Sequence, residues 1–543
     1  MICSFCFDQL NIMWTGFVKS YSYQFRWAFV FIFLMIYFAG VCVREIKNHG
    51  FDKITMFKAL GIITALFVLI DALGFTKDKI VSYFYIALII IYGLAIVVMY
   101  ALKNKKILKS AVALVICILT VAELTYNGTK VFESNYVDNK DDFINYTNEM
   151  EPVIENIKTN DTSFYRLEKN VSYLTEVGRT VANSESLMYN YNGIAGYTST
   201  YDPNVDIFLA KMGYSDLTSI TPENQTEKKF NATETYWNSP QLVMDSILGV
   251  KYQILDKSAP GLEEYDYDSI FDGRYRVYEN PYALPLAFNV SSDLYDDIEY
   301  GQNPFENQEK YVSSALGREV SLFFAPDYEN GEMKDKEQKI TVHIKQDGPL
   351  YFYTDPNDCH ENSNGDACQL YVNGEMVQKI CKRFCTNAVY IGDYKAGDTV
   401  NIKIKMHDSS AKKEKTHTVY LEQLDVAAAE NALKELASGS SSTLNFNKNT
   451  VSGTYETDTD STVLLTVPYT DGWTLYVDGE KQDYKEIGDT FIGIDLTAGS
   501  HQIEMKYTTL HRNAGIASSI VGFGGFAAWC VIDVLRKRKA EVK

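Results

Sequence analysis

Five stretches of this chain are apolar over the length of a helix: Trp27–Val43, Ala59–Phe75, Ile80–Leu102, Ile107–Thr125 and Asn513–Ile532. About twenty such residues cross the hydrocarbon core of a bilayer as one helix. The polar residues between them are unevenly signed. Arg44, Lys47 and Lys53 follow the first run, Lys103, Lys105, Lys106 and Lys109 mark the junction of the third and fourth, and Arg536 to Lys539 follow the last. Thr76–Lys79, between the second and third, is nearly neutral. Basic loops stay in the cytosol. Residues 1–26 then read as an external loop, 27–126 as four transmembrane helices, 511–535 as a C-terminal transmembrane helix and 536–543 as a cytoplasmic basic tail. The first four runs and the last one, taken separately, both put the intervening body on the outer face of a cell membrane.

That body has a different pattern. Residues 127–305 mix one helical periodicity (Asp141–Thr159) with short strand-like runs at Ser163–Leu167, Tyr252–Leu255 and Tyr275–Tyr278, an extracellular α+β domain. Two β-sandwich-like modules follow, at 306–424 and 443–510, and they repeat one another. Leu350–Tyr353 leads to Leu370-Tyr371-Val372-Asn373-Gly374-Glu375, then Ala396-Gly397 and Val400–Met406. Val463–Val467 leads to Leu475-Tyr476-Val477-Asp478-Gly479-Glu480, then Ala498-Gly499 and His501–Tyr507. Asn-Gly and Asp-Gly supply the positive φ of a tight hairpin, and alternation on either side predicts half-buried strands. Residues 425–442 between the modules read as a helix capped by Asp425 and a flexible Ser/Gly link. The fold class is therefore a multi-pass α-helical membrane protein with a large extracellular α+β region and two β-sandwich-like modules.

Charge and cysteines refine this. The net charge of −19 belongs mostly to the body; it keeps an exposed domain soluble and argues against nucleic acid, which needs basic stripes. Cys359, Cys368, Cys381 and Cys385 cluster in that body, where two disulfides are the natural reading for an outside location, with three pairings possible. His360 leaves a zinc site as an alternative, although paired C-x2-C knuckles are absent. Asn-x-Ser/Thr triplets, Asn289 among them, could accept glycans in a eukaryotic secretory pathway, but in an Asn-rich acidic chain they are more often coincidence. Asp71 and Glu123 lie about a turn from the outer helix ends, as interfacial residues reaching water or as a cation or substrate site. The opening residues carry no signal peptide and read as the middle of a longer protein. No Walker loop, G-x-S-x-G or H-E-x-x-H occurs.

Several phrases in order along the chain resemble the YfhO family of bacterial membrane proteins. They are Asn11-Ile12-Met13-Trp14-Thr15-Gly16-Phe17, Phe25-Arg26-Trp27-Ala28-Phe29, Phe164-Tyr165-Arg166-Leu167, and Asn183 with Asn192–Ser199. Tyr278-Glu279-Asn280-Pro281 through Pro285, and Val467-Pro468-Tyr469-Thr470-Asp471-Gly472-Trp473 through His501, complete the set. The resemblance implies a membrane glycosyltransferase of the C-type architecture, which takes a sugar from a polyprenyl-phosphate carrier and passes it to a cell-envelope polysaccharide, here lipoteichoic acid, at the outer leaflet. It implies no cofactor. Family members carry the acidic catalytic base on a membrane half that nothing in this chain matches, so no catalytic residue is assigned, and the chain by itself is expected to be an inactive C-terminal portion. Within what is present, Arg26 is placed to bind a carrier phosphate bidentately, and Trp14 to stack on a sugar ring or anchor at the interface. Arg166 and Asn183 are expected to hold the fold. The rival reading is a non-catalytic envelope protein whose β modules bind polysaccharide or brace a partner.

Overall fold

The computed structural model describes residues 10–11, 13–15, 27–50, 52–72, 79–102, 105–134, 140–171, 185–197, 203–214, 234–235, 240–256, 267–355, 368–380, 387–406 and 416–541. They form two compact units, Met1–Asn139 and Lys140–Lys543.

The first unit is helical: α1 (Ala28–His49), α2 (Lys53–Ala72), α3 (Lys79–Ala101) and α4 (Lys106–Ser134). Asp52 caps α2 by accepting from the Ile54 and Thr55 amides. Gly93 of α3 leaves room for the Leu60 side chain of α2, which a Cβ there would strike. Tyr92 of α3 donates to Glu123 of α4 at 3.1 Å, and Tyr85 to Asn127 at 2.6 Å. Glu123 thus has a partner on the neighbouring helix; the side chain of Asp71 lies outside the described residues. Phe29, Phe33, Ile36 and Phe38 of α1 are all exposed, a surface suited to hydrocarbon rather than water. Among the described residues, Ala28–His49, Lys106–Lys130 and Arg512–Lys539 are long and apolar enough to cross a membrane, while Ile54–Leu66 and Tyr83–Met99 are shorter apolar stretches.

The second unit opens with α5 (Lys140–Asn160), which buries Tyr146, Met150, Val153, Ile154 and Ile157 along one stripe. The stripe lies against a sheet of order β1-β2-β4-β3, from β1 (Arg166–Lys169), β2 (Val250–Asp256), β3 (Asp268–Asp272) and β4 (Tyr275–Glu279). β1 and β2 run parallel, and the other pairs are antiparallel. Next comes β5 (Ala287–Val290), then α6 (Pro304–Leu316). Asn303 caps α6 by accepting from the Phe305 amide at 3.1 Å, and Gly317, at φ 65°, ends it.

The two repeats have matching topologies. In the first, β6 (Phe323–Phe324), β7 (Asp327–Asn330), β8 (Glu337–His343), β9 (Gly348–Thr354), β10 (Cys368–Val372), β11 (Glu375–Ile380), β12 (Val389–Tyr394), β13 (Thr399–Met406) and β14 (Val419–Leu424) form sheets β11-β10-β13-β8-β7 and β12-β9-β14-β6. After α7 (Val426–Leu436), the second repeat uses β15 (Ser440–Ser442), β16 (Asn445–Asn447), β17 (Thr450–Thr457), β18 (Ser461–Pro468), β19 (Trp473–Val477), β20 (Glu480–Gln482), β21 (Lys485–Ile487), β22 (Phe491–Leu496) and β23 (Gly499–Tyr507). Its sheets are β20-β19-β23-β17-β15 and β21-β22-β18-β5. In the five-stranded sheets each strand of the first repeat has its counterpart in the second; in the four-stranded sheets β12, β9 and β14 match β22, β18 and β5, so β5, drawn from upstream, fills the place of β14, while β6 and β21 are unmatched. Apolar α8 (Arg512–Glu541) closes the chain.

Turn chemistry repeats as well. Asn373 (φ 49°) and Gly374 (φ 93°) match Asp478 (φ 52°) and Gly479 (φ 83°). Asn373 Oδ1 accepts from the Asn401 amide at 2.9 Å, and Asp478 Oδ1 from the Gln502 amide at 2.8 Å. The Ala396 amide donates to Asp347 at 2.9 Å, the Ala498 amide to Asp460 at 2.8 Å. Strands β9 and β18 bury both faces. Leu350 and Phe352 enter a core within the first repeat, whereas Tyr351 and Tyr353 enter a central cluster with α6 and α7 residues such as Phe305 and Leu433. Val463 and Leu465 likewise enter the second repeat's core, and Leu464 the central cluster. Strands covered on both sides read as continuous apolar runs, as these two do.

Two expectations need correction. Ser440–Ser442 is a strand paired with Tyr455–Thr457, not a flexible link, because serine hydroxyls do not prevent an edge strand from pairing. Cys368 carries a free thiol; it faces the core, with Sγ 3.6 Å from His417 Nε2, so it joins neither of two disulfides. Cys359, His360, Cys381 and Cys385 lie outside the described residues. Asn289 is engaged internally, accepting from Tyr455 at 2.7 Å and donating to Thr457 at 3.0 Å. Asp425 does cap α7, accepting from the Ala428 amide at 2.9 Å.

Candidate functional site

Trp14 sits on a short 3-10 turn, Met13–Thr15, ahead of α1. Its ring stacks on that of Trp27, with centroids 5.1 Å apart and planes 20° from parallel. Trp27 is 4% exposed and donates its indole N–H to Asn11 Oδ1 at 2.7 Å; Trp14 is 42% exposed. The two phrases Asn11–Phe17 and Phe25–Phe29 are thus joined by one aromatic stack and one hydrogen bond. A buried ring supporting a half-open one makes a rigid apolar plate suited to a sugar face or to the headgroup layer. Arg26, the residue before Trp27, lies outside the described residues, as does Asn183.

In the second unit, charge is buried around β1. The Arg166 guanidinium donates to the carbonyls of Leu248 and Thr466 and to the Thr466 hydroxyl, and lies 5.0 Å over the Phe164 ring. Burial pushes it down to about 10, against the pull of nearby Glu168. Glu168 is 2% exposed and accepts from the amides of Ile194 and Ala195. Burial pushes its carboxyl up to about 7 in spite of those donors. The phrase Phe164–Leu167 and the phrase Asn192–Ser199 therefore meet at one carboxylate. Lys169 pairs with Glu185 out of water and reaches Tyr146 at 3.1 Å; burial lowers its affinity for the proton, and Glu185 opposes that.

Two further carboxylates complete the cluster. Asp245, fully buried, accepts from Tyr214 at 2.6 Å and from the Gln241 amide and the Gln253 side chain at 3.0 Å each. Asp161 meets Lys251 at 2.7 Å and Tyr252 at 2.9 Å. Burial works against its ionisation, but hydrogen bonds from Lys251, Ser163 and Tyr252 hold its carboxyl at about 2. Groups so completely engaged rigidify a domain. Sequence reasoning found Arg166 as a fold-holding residue but missed Glu168, Lys169 and Asp245; the one signal was the cluster of Arg166, Glu168 and Lys169 directly after the apolar Phe164-Tyr165. Among the described residues no group of three or more His, Cys, Asp or Glu side chains is placed to hold a metal.

The sequence matches the family described as "Bacterial membrane protein YfhO" over residues 1–519. It is 21% identical over 351 residues to "Uncharacterized protein YfhO" of Bacillus subtilis (strain 168), covering 60% of this chain and 39% of that protein, so the chain spans well under half of that relative's length. A cupin 2 conserved barrel domain protein from Leptotrichia buccalis aligns with 35% of this chain and 92% of its own at 9% identity, with a TM-score of 0.09. The match to the family covers nearly the whole sequence. The chain belongs to the YfhO family of bacterial membrane proteins.

Proposed function

We propose that the chain is part of a membrane glycosyltransferase that moves a sugar from a polyprenyl-phosphate carrier to a cell-envelope polysaccharide of the lipoteichoic acid type. In this reading five helices cross the cell membrane, the C-terminal tail is cytoplasmic, and the body with its two β-sandwich-like modules stands on the outer face to position the acceptor. The observation that carries it is the family match over residues 1–519 together with the aromatic plate of Trp14 and Trp27 at the head of the first apolar helix. Arg26, next to that plate in sequence, takes the carrier phosphate by bidentate hydrogen bonds, and Trp14 takes the sugar face.

The test is the sugar content of lipoteichoic acid in cells with the gene deleted and in cells expressing the whole protein with Arg26→Ala or Trp14→Ala. Deletion removes the sugar, and each variant lowers transfer at unchanged protein level. An unchanged polymer after deletion overturns the reading. The dense internal bonding of the body, Arg166 and Glu168 above all, favours a second reading in which this part braces a partner and does no chemistry. That reading predicts that transfer survives both variants and fails only when the body is destabilised.

A further inference from the structure

Strand β23 ends at Tyr507 and apolar α8 begins at Arg512, so Thr508–His511 alone connect the second repeat to that helix. Four residues reach about 14 Å at full extension. One end of the repeat is therefore held beside the head of α8. That end has a distinctive composition. Trp473 pairs with Tyr507, with ring centroids 5.2 Å apart. Tyr469 and Tyr484 form a second aromatic pair at 5.7 Å, and the Tyr484 hydroxyl donates to the carbonyls of Thr470 and Trp473. The Thr508 amide donates to the Gly472 carbonyl at 2.8 Å, and the Asn449 side chain to the Tyr507 carbonyl at 2.8 Å, which ties the connection to the strand ends.

Lys448, in the β16–β17 turn, is exposed, as are Lys506, opposite Thr450, and Arg512. Leu510 is 53% exposed between them, and Asp471 is the exposed carboxylate among Tyr469–Trp473. In a chain of net charge −19, three basic side chains at one tip run against the overall balance. Half-buried Trp and Tyr rings, outward basic groups and an exposed leucine, adjoining an apolar helix, are the chemistry of a bilayer headgroup layer.

We infer that this end of the second repeat rests in the phospholipid headgroups of the outer leaflet, with anionic lipid as its ligand, and so sets how the body stands on the membrane. The inference rests on the reading in which α8 crosses the bilayer with the body outside. To test it, a fluorescent amino acid is placed by codon suppression at Lys448, at Thr459 on the opposite end of the same sheet, or at Ser519 within α8. The full chain is reconstituted in vesicles of phosphatidylcholine with phosphatidylglycerol that carry nitroxide quenchers on the headgroups or on the acyl chains. Headgroup quenchers are expected to cause loss of fluorescence at 448 but not at 459, and Lys506→Glu with Arg512→Glu to restore it. Equal quenching at 448 and 459, with 519 quenched by acyl-chain nitroxide, overturns this inference alone. Absence of acyl-chain quenching at 519 overturns the crossing helix and this inference together.

Discussion

The guanidinium of Arg166 donates to the carbonyl oxygen of Thr466 at 2.6 Å and to its hydroxyl at 3.1 Å, joining the sheet under α5 to the second repeat. Thr466 is fully buried. Replacing Arg166 by methionine leaves the Leu248 and Thr466 carbonyls out of water with no donor. The expected loss is about 3–5 kcal/mol, the range for breaking a buried charged contact. Arg166→Lys recovers only part of it, since one ammonium cannot reproduce the guanidinium's fixed fork. Thermal unfolding in detergent, followed by tryptophan fluorescence, measures both. An unchanged midpoint in Arg166→Met means that this latch carries no weight.

Glu168 makes stability depend on pH. Its folded carboxyl titrates at about 7, above the ordinary 4.5, because it is buried. The folded chain therefore holds a proton that the unfolded chain has released, and stability falls as pH rises from about 4.5 to 7. This one group accounts for a change on the order of 3 kcal/mol. Glu422, also pushed up to about 7 by burial and by nearby Glu306 and Glu309, acts in the same window. Asp161, held at about 2, acts in the opposite sense: its contribution is lost only as pH falls from about 3.8 through 2. Urea unfolding between pH 4.5 and 7 should show a shallower decline in Glu168→Gln than in the wild type.

The Lys169–Glu185 pair is shut away from water, with side chains 5% and 9% exposed. Glu185→Gln strands a buried ammonium and is expected to cost about 3–5 kcal/mol. Lys169→Met with Glu185→Leu removes both charges and should restore most of that loss, as well-packed replacements of buried pairs do. Unfolding of Lys169→Met, Glu185→Leu and the double variant gives the coupling directly. Additive losses would mean that the two charges do not depend on one another.

The hairpin glycines test whether the repeats are physical equivalents. A Cβ at Gly374 or Gly479 meets no atom within 4 Å, so alanine there pays only for the left-handed backbone. Each substitution is expected to cost about 1 kcal/mol, and the two costs to agree. Gly453→Ala differs, because its Cβ would come 2.6 Å from the Thr443 carbonyl oxygen and 2.8 Å from Leu444 Cα. That clash is with backbone and should cost clearly more. Paired denaturation curves for the three variants decide it.

How much of this was legible in the chain follows from how local each signal is. The β repeat was readable because Asn373-Gly374 and Asp478-Gly479 announce their turns and because β9 and β18, covered on both faces, leave unbroken apolar runs. The α5 stripe was readable for the same kind of reason, a 3.6-residue period. Glu168 was not, since a glutamate in a strand looks solvated until Ile194 and Ala195 turn their amides toward it. Ser440–Ser442 misled through composition, because its pairing with Tyr455–Thr457 depends on a partner and not on its own side chains. The meeting of Trp14 with Trp27 could be suspected only from two phrases lying close in sequence. Arg166, singled out with a fold-holding role, was placed correctly, although its partner stands 300 residues away.

Strand β5 has a consequence of its own. Ala287–Val290 lies against Leu465–Thr462 of β18, more than 170 residues later, and gives the second repeat the rail that the first repeat supplies from its own tail. As the polypeptide is synthesised from the amino end, this short segment emerges early and must wait, unzipped, while the entire first repeat is made. A fragment cut to begin after residue 290 would expose the flank of β18, an invitation to stick to another molecule. The two repeats look alike in plan, yet one is self-contained and the other is built on a debt to the domain before it.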